Sequence, residues 1–291
     1  MANNTEYFWN RIGYIEIEND DGEMIRFGGS HDELDFKFDI QYTGDVATRF
    51  SCSILGLGMD TIQRLTVWNL AQAMSRQRKI AIYAGYEKDG LARQVAYGII
   101  TRAIPTSPPE MWLNFECLIG SPSFDPSDGK CLKDKTVAEI LDVLAKMNSF
   151  GSRWDAKTVP PNKKVKHFYV GEAPVWMITK FASRIGVLIY TDGNTLVAAD
   201  RYAWLTNEVI RSGDTINVNS GLLAIGNIDL KGATIQCRLN TKARLMTWIR
   251  VESVIMPSAN NDYYVISKRH LGHYRGKEWY TELQMIRRPA I

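Results

Sequence analysis

Alternation of apolar and polar residues with a period of two most strongly limits what this chain can fold into. In the segment LDFKFDIQY every second residue is apolar, from Leu34 to Tyr42. Such a period predicts a β-strand with one buried face. The same period recurs in three later segments, RFSCSIL (49–55), KIAIYAGY (79–86) and MWLNFECLI (111–119). Short alternating strands separated by turns predict an antiparallel barrel or sandwich, here interrupted by a helical stretch from about Asp60 to Met74.

The middle of the chain has a different period. Residues 120–129, GSPSFDPSDG, have the composition of a domain boundary. The segment TVAEILDVLAKMN then follows helical spacing, and Thr136 and Glu139 predict a capping box at its start. A second helix is predicted over 173–186, and VLIYTDGNTLVAA (187–199) predicts a hairpin. These elements indicate a small α+β domain.

The two strand-rich ends of the chain resemble each other. A shift of 167 residues places Tyr97 on Tyr264 and Trp112 on Trp279, with three further identities over 23 positions. We therefore predict structural roles for these four aromatic residues at equivalent positions of two related modules.

The predicted fold is mainly β, with two related antiparallel β-barrel modules flanking a small α+β domain. The expected domains are 1–127 for the first barrel, 128–215 for the middle domain and 216–291 for the second barrel.

Charge and composition exclude few function classes by themselves. The net charge of +3 does not argue for binding of nucleic acid or membrane. The amino terminus lacks the pattern of a signal peptide, and no apolar run is long enough to cross a membrane.

Three of the four cysteines, Cys52, Cys117 and Cys237, occupy apolar positions of alternating runs. We expect them to be buried free thiols of a protein made in a reducing cytoplasm.

The histidines His270 and His273 are the most conspicuous candidates for metal binding or acid–base chemistry. A zinc site needs three or four converging ligands, and no recognised arrangement surrounds this pair. We therefore expect both to lie near the hairpin turn, and we expect no metal, cofactor or catalytic residue. The acidic segment 18–24, ENDDGEM, predicts a solvated turn, and NKKVKH (162–167) predicts an exposed basic loop.

The order of these elements resembles the baseplate hub proteins of tailed phages, the late control protein D-like and T-even hub family. Residues 34–102, with YTGD, RFSCSILGL, IAIYAGYEKDG and VAYGIITRA, are similar to the first barrel of that family. The closing barrel typically ends with a histidine before a loop and then Gly-x-x-Trp-x-Thr. The matching residues here are His270, Gly276, Trp279 and Thr281. One departure is LNTKARLMT (239–247), which lacks the Pro and Gly of many relatives, so we expect a differently built loop.

The resemblance implies a structural protein of the virion, located in the tail baseplate and assembled in the host cytoplasm. It implies a homotrimer whose ring joins a sixfold tail tube to a threefold central spike, because two barrels per chain give six similar modules. The implied partners are the tube protein, the spike protein and other baseplate proteins, with DNA only in transit through the channel and no membrane insertion.

Two other classes of function stay open from the sequence. One is a cell-wall-degrading enzyme of the tail tip, for which the sequence offers no recognised catalytic arrangement. The other is a polymer-binding module, since small barrels commonly bind sugars or nucleic acid. We expect the chain not to be an enzyme.

Overall fold

The computed structural model describes residues 10–29, 34–120, 130–170, 174–202, 205, 211–229 and 232–287. The fold is mainly β with an α+β insert, as the sequence predicts. The predicted boundary at 120–129 lies outside the described residues except for Gly120.

The described residues of the first module form seven strands and two short α-helices. The strands are β1 (Arg11–Glu18), β2 (Met24–Phe27), β3 (Asp35–Tyr42), β4 (Arg49–Leu55), β5 (Lys79–Tyr86), β6 (Arg93–Pro105) and β7 (Trp112–Ile119), and the helices are α1 (Met59–Leu65) and α2 (Leu70–Arg76). The helical stretch predicted from about Asp60 to Met74 thus forms two short helices with a break between them. Val67 breaks it, because this residue forms an isolated β-bridge with Ala103 and exchanges two backbone hydrogen bonds with it.

The middle domain contains two helices and two small sheets. Its elements are β8 (Lys130–Thr136), α3 (Val137–Met147), β9 (Gly151–Asp155), β10 (Lys164–Val170), α4 (Pro174–Ile185), β11 (Leu188–Asp192) and β12 (Thr195–Ala199). The capping box at Thr136 and Glu139 is confirmed, and so are both helices and the β11–β12 hairpin. The loop predicted over 162–167 is wrong in part, because its last four residues begin β10, which pairs with β8.

In the described part of the last module there are six strands. They are β13 (Arg211–Ile216), β14 (Leu222–Ile228), β15 (Gly232–Arg238), β16 (Trp248–Val251), β17 (Asn261–His273) and β18 (Trp279–Arg287). β13 begins ahead of the boundary predicted at residue 216 and pairs in parallel with β16, an exception to the antiparallel arrangement.

Both modules share one continuous sheet of 13 strands. Its main path is β14-β15-β18-β17-β3-β4-β7-β6-β5-β1-β2, and β16 also pairs with β17. β17 has 13 residues and joins the modules, because its first part pairs with β16 and its second part pairs with β3. The sheet curls strongly, since the Trp279 indole Nε1 donates to the Gly85 carbonyl at 3.2 Å although β18 and β5 are far apart along the path.

None of the helices in the described part of the chain combines the length and apolar character needed to cross a membrane.

Candidate functional site

The two histidines lie within β17, close to the hairpin turn as predicted but in the strand that precedes it. His270 is 2% exposed, and its Nδ1 lies 2.8 Å from the Thr281 hydroxyl of β18. His273 is the last residue of β17 and places Nε2 2.8 Å from a carboxylate oxygen of Asp35. The loop of the hairpin begins only after it.

Strand geometry separates the two rings. Successive side chains of a strand point to opposite faces, so residues three apart cannot present their rings on one side. Accordingly, His270 is buried whereas His273 packs against the ring of Trp112, at 5.9 Å between centroids. In the described chain, no group of three or more His, Cys, Asp or Glu side chains is arranged to hold a metal ion. The three-residue spacing of His270 and His273 therefore does not bring the two rings together to bind one metal ion.

The environment of His270 favours its neutral form. Burial lowers the pKa of His270 well below 6.5, and the charge of Lys268 lowers it further. The acidic segment near Asp20 forms a turn, as the sequence predicts. Asn19 Oδ1 accepts hydrogen bonds from the backbone N–H groups of Asp21 and Glu23, at 2.9 and 2.8 Å. Arg78 hydrogen-bonds to Asp20 and lowers the pKa of that carboxyl group.

The four aromatic residues singled out in the sequence have different surroundings. Trp279 and Tyr264 are each 4% exposed, whereas Tyr97 and Trp112 are half-buried. Trp279 packs edge-on against three aromatic rings, those of Phe36, Phe38 and Tyr274, at centroid distances of 6.3, 5.5 and 6.1 Å. It is thus a core residue shared between β18 and the first module.

The two hairpins use like elements but differ in register. In each, a 13-residue strand precedes the loop and a shorter strand follows it. Backbone bonds join Thr106 to Trp112 and His273 to Glu278, so the enclosed loops are 107–111 and 274–277. The second loop is one residue shorter, and the burial pattern of the following strand shifts by one. Trp112 lies on the outer face of β7 while Trp279 points into the core, so the two tryptophans differ in burial, and their equivalence in the two modules stays a prediction.

Arg11 of β1 holds the end of the second hairpin. Its guanidinium donates to the backbone carbonyls of His273 and Gly276, at 2.9 and 2.6 Å. The same group lies 5.6 Å from the Trp279 ring centroid. Carbonyls that a turn leaves without strand partners are therefore satisfied by a side chain from the other module.

The 239–247 loop, which lacks Pro and Gly, is built from other turn residues. Asn240 Oδ1 accepts hydrogen bonds from the N–H groups of Lys242 and Ala243, at 2.9 and 3.1 Å. Met246 adopts a φ of 55°, in the left-handed region that glycine usually occupies. Ala243 and Leu245 are buried, which anchors the loop on both sides of Arg244.

The middle domain contacts the large sheet through the β11–β12 hairpin. The Tyr190 hydroxyl donates to the Leu245 carbonyl at 3.1 Å, and the Thr191 hydroxyl lies 3.1 Å from that of Thr48. Next to them, Lys268 and Asp192 form an ion pair whose side chains are 5% and 7% exposed. Lys268 also donates to the Ala243 carbonyl at 3.1 Å. All three parts of the chain thus meet at one place, which we call the junction, around Asp192 and Lys268.

The cysteines agree with the expectation for buried thiols. Cys52, Cys117 and Cys237 are buried and free, whereas Cys131 is free and exposed. Burial raises the pKa of Cys237 to about 12, so its thiol stays protonated at neutral pH.

Comparisons with known proteins agree with this architecture. The family model described as Baseplate hub gp41 matches residues 40–284. No curated protein matches the sequence. The tail protein from Neisseria meningitidis MC58 is similar in structure, with a TM-score of 0.58 and 13% identity over 96% of this chain and 97% of that one.

Two further structures share the fold at low identity. The 43 kDa tail protein of prophage MuSo2 from Shewanella oneidensis gives a TM-score of 0.55 and 11% identity, over 95% of this chain and 98% of that one. A chain of the lidded Francisella PdpA–VgrG complex gives a TM-score of 0.53 and 8% identity, over 97% of this chain and 53% of that one. The similarity to that longer chain extends over about half of its length.

Proposed function

The chain belongs to the baseplate hub gp41 family, and from this premise we propose that three copies form a ring that joins the sixfold tail tube of a phage to the threefold central spike. The protein is a phage tail component of the baseplate, and its location is the tail of the virion. Assembly in the host cytoplasm, with tube, spike and other baseplate proteins as partners, is part of the proposal.

The observation that carries the proposal is the joining of two like modules in one sheet. Pairing of β17 with β3 holds the modules in a fixed relation, since six residue pairs connect these strands from Lys268–Tyr42 to His273–Lys37. Three chains would then present six similar but unequal modules around an axis. A ring of this kind can bind a sixfold tube on one side, because it has six similar modules. It can bind a threefold spike on the other side, because it has three chains.

The sheet also offers edges at which neighbouring copies can meet. Within the described residues, β2 pairs only with β1, and β14 pairs only with β15. Both edge strands expose large apolar side chains, with Ile25 45% and Leu223 54% exposed. Unpaired strand edges with exposed apolar residues favour association with another chain. A head-to-tail contact between unlike edges forms a closed ring when the rotation between copies is 120°.

A structural role without enzyme activity is likewise a proposal. It is supported by the separation of His270 from His273 and by their use in contacts with Thr281 and Asp35. The alternatives are a cell-wall-degrading enzyme or a polymer-binding tail-tip protein. Lysis of purified cell walls, followed by turbidity, would identify the first, and a glycan titration would identify the second. We expect neither a fall in turbidity nor glycan binding.

Oligomer formation by the purified chain tests the proposal. Light scattering coupled to size exclusion should give the mass of a trimer, and Ile25→Lys should shift the chain towards the monomer by placing a charge on the β2 edge. Tyr169→Lys is the matched control, because Tyr169 is 64% exposed on β10 of the middle domain. A monomer at every concentration, or equal effects of the two variants, would contradict the proposed assembly.

A further inference from the structure

A polar cavity of about 510 Å³ lies at the junction of the three parts of the chain. The first module contributes the start of β6, the middle domain contributes the β11–β12 turn, and the last module contributes the 241–244 loop and the inner side of β17. No role in the proposed hub assembly uses this cavity, which lies between elements of one chain.

The charge of the cavity is strongly positive. Five cationic residues and a single carboxylate line it, namely Arg93, Arg153, Lys242, Arg244, Lys268 and Asp192. Two of the cations are neutralised, because Lys268 pairs with Asp192, and Arg153 lies 2.6 Å from an oxygen of Asp155. Arg93, Lys242 and Arg244 form no ion pair with any other described residue. These three residues are exposed, so their positive charges are available to an anion at the cavity.

The local backbone fixes where two of these cations leave the chain. Lys242 and Arg244 alternate with the buried residues Ala243 and Leu245, so both charged side chains leave the loop on its outer side. The Asn240 side chain fixes the start of the loop through its two bonds to backbone N–H groups. A loop backbone that is ordered before binding loses little conformational entropy when the ligand arrives.

Opposite this loop, the turn between β11 and β12 closes the cavity. Gly193 adopts a φ of +61°, and Asp192 and Thr195 are the last residue pair of the hairpin. The buried pair of Lys268 and Asp192 forms part of the floor, where the Asp192 charge is compensated and does not oppose an incoming anion.

We propose that this cavity binds a small multivalent phosphate anion, such as a diphosphate, and that the bound anion ties the middle domain to both β modules. Arginine guanidinium groups present paired N–H donors that match the oxygen geometry of phosphate. Three separate cations favour a ligand with several charges over a single carboxylate. A concave site formed by one chain favours a small ion over the extended backbone of a nucleic acid.

Titration calorimetry of the full chain with inorganic pyrophosphate tests this proposal. We expect saturable binding at one site per chain, and a weakening of about tenfold or more in Arg244→Ala and in Arg93→Ala, since each removes a charge-assisted hydrogen bond. Lys164→Ala is the control of equal charge, because Lys164 is exposed on β10 away from the cavity. Pyrophosphate should also raise the melting temperature of the parent chain more than that of Arg244→Ala at the same concentration.

Four outcomes would overturn the proposal. One is the absence of saturable binding of pyrophosphate. A second is equal weakening in Lys164→Ala and Arg244→Ala, which would indicate attraction by net charge alone. The third is binding of a glutamate-rich peptide but not of pyrophosphate, which would assign the cavity to an acidic protein segment. Binding of orthophosphate as tightly as pyrophosphate would also contradict the need for a multivalent ligand. Each readout is made on the isolated chain and is independent of whether it forms a trimeric ring.

Discussion

Lys268 of β17 and Asp192 at the end of β11 form a buried ion pair between the last module and the middle domain. The Lys268 ammonium also donates to the Ala243 carbonyl and lies 4.8 Å from the ring centroid of Tyr42. One side chain therefore contacts the middle domain, the 239–247 loop and the first module. Charges removed from water in this way are stable only while both partners remain.

Lys268→Met should destabilise the chain by about 3–5 kcal/mol, because Asp192 would stay buried without its cation. In the double variant Lys268→Met/Asp192→Leu neither charge remains, so much of the lost stability should return. The free energy of unfolding in urea measures both effects. A single variant as stable as the parent, or a double variant less stable than the single one, would show that the pair does not hold the junction.

Trp279→Ala should lower the free energy of unfolding by about 3–5 kcal/mol, since a buried indole leaves a cavity among aromatic rings. Trp112→Ala is the matched control. Its side chain is half-buried on the outer face of β7, beside Lys37, whose ammonium lies 4.5 Å from the ring centroid. We expect a distinctly smaller loss for the control. Equal losses would mean that both tryptophans are core residues and that the assigned difference in register is wrong.

Stability should fall as the pH drops below about 6.5, because of His270. Its pKa in the folded chain is well below 6.5, through burial first and Lys268 second. The unfolded chain binds a proton there near pH 6.5 while the folded chain does not, so the contribution is complete above that pH and is lost below it. The slope can reach about 1.4 kcal/mol per pH unit.

Urea unfolding of the parent and of His270→Gln between pH 7.5 and 5.5 checks this expectation. The variant should show a smaller loss of stability across that interval, whatever its absolute stability. Parallel curves for the two proteins would rule out His270 as the source of the dependence.

Elements whose signal is local could be predicted from the sequence. The alternation from Leu34 to Tyr42 identifies β3 because its inner face meets the core at every second residue. Helix α3 is equally clear, since Thr136 and Glu139 form a capping box just before an apolar stripe. The buried positions of Cys52 and Cys237 follow from the same period-two pattern.

Contacts between residues that are far apart in the sequence could not be predicted from local patterns. The β8–β10 ribbon has largely exposed faces, so KCLKDKT shows no alternation that would indicate a strand. Lys268 lies on the inner side of β17, two residues before the buried His270. A lysine at a position of the strand that faces the core is the one sequence feature that indicates a buried ion pair here. Nothing local indicates Asp192 as its partner, because 76 residues separate them.

Bulges in the strands also limit what can be predicted from the number of residues between two positions. A bulge lies between Ile100 and Arg102 in β6 and another between Val265 and Ser267 in β17. Each bulge adds one residue to a strand and changes its phase. Equal intervals between tyrosine and tryptophan therefore do not give equal faces when the hairpin loops differ by one residue.

Cryo-electron microscopy of intact particles, with this chain located in the baseplate, tests the central claim most directly. The proposal predicts three copies in one ring on the tail axis, in which the modules of residues 1–127 and 216–291 alternate and the middle domains lie outside. Six copies in the ring, or β modules placed away from the tail axis, would contradict it.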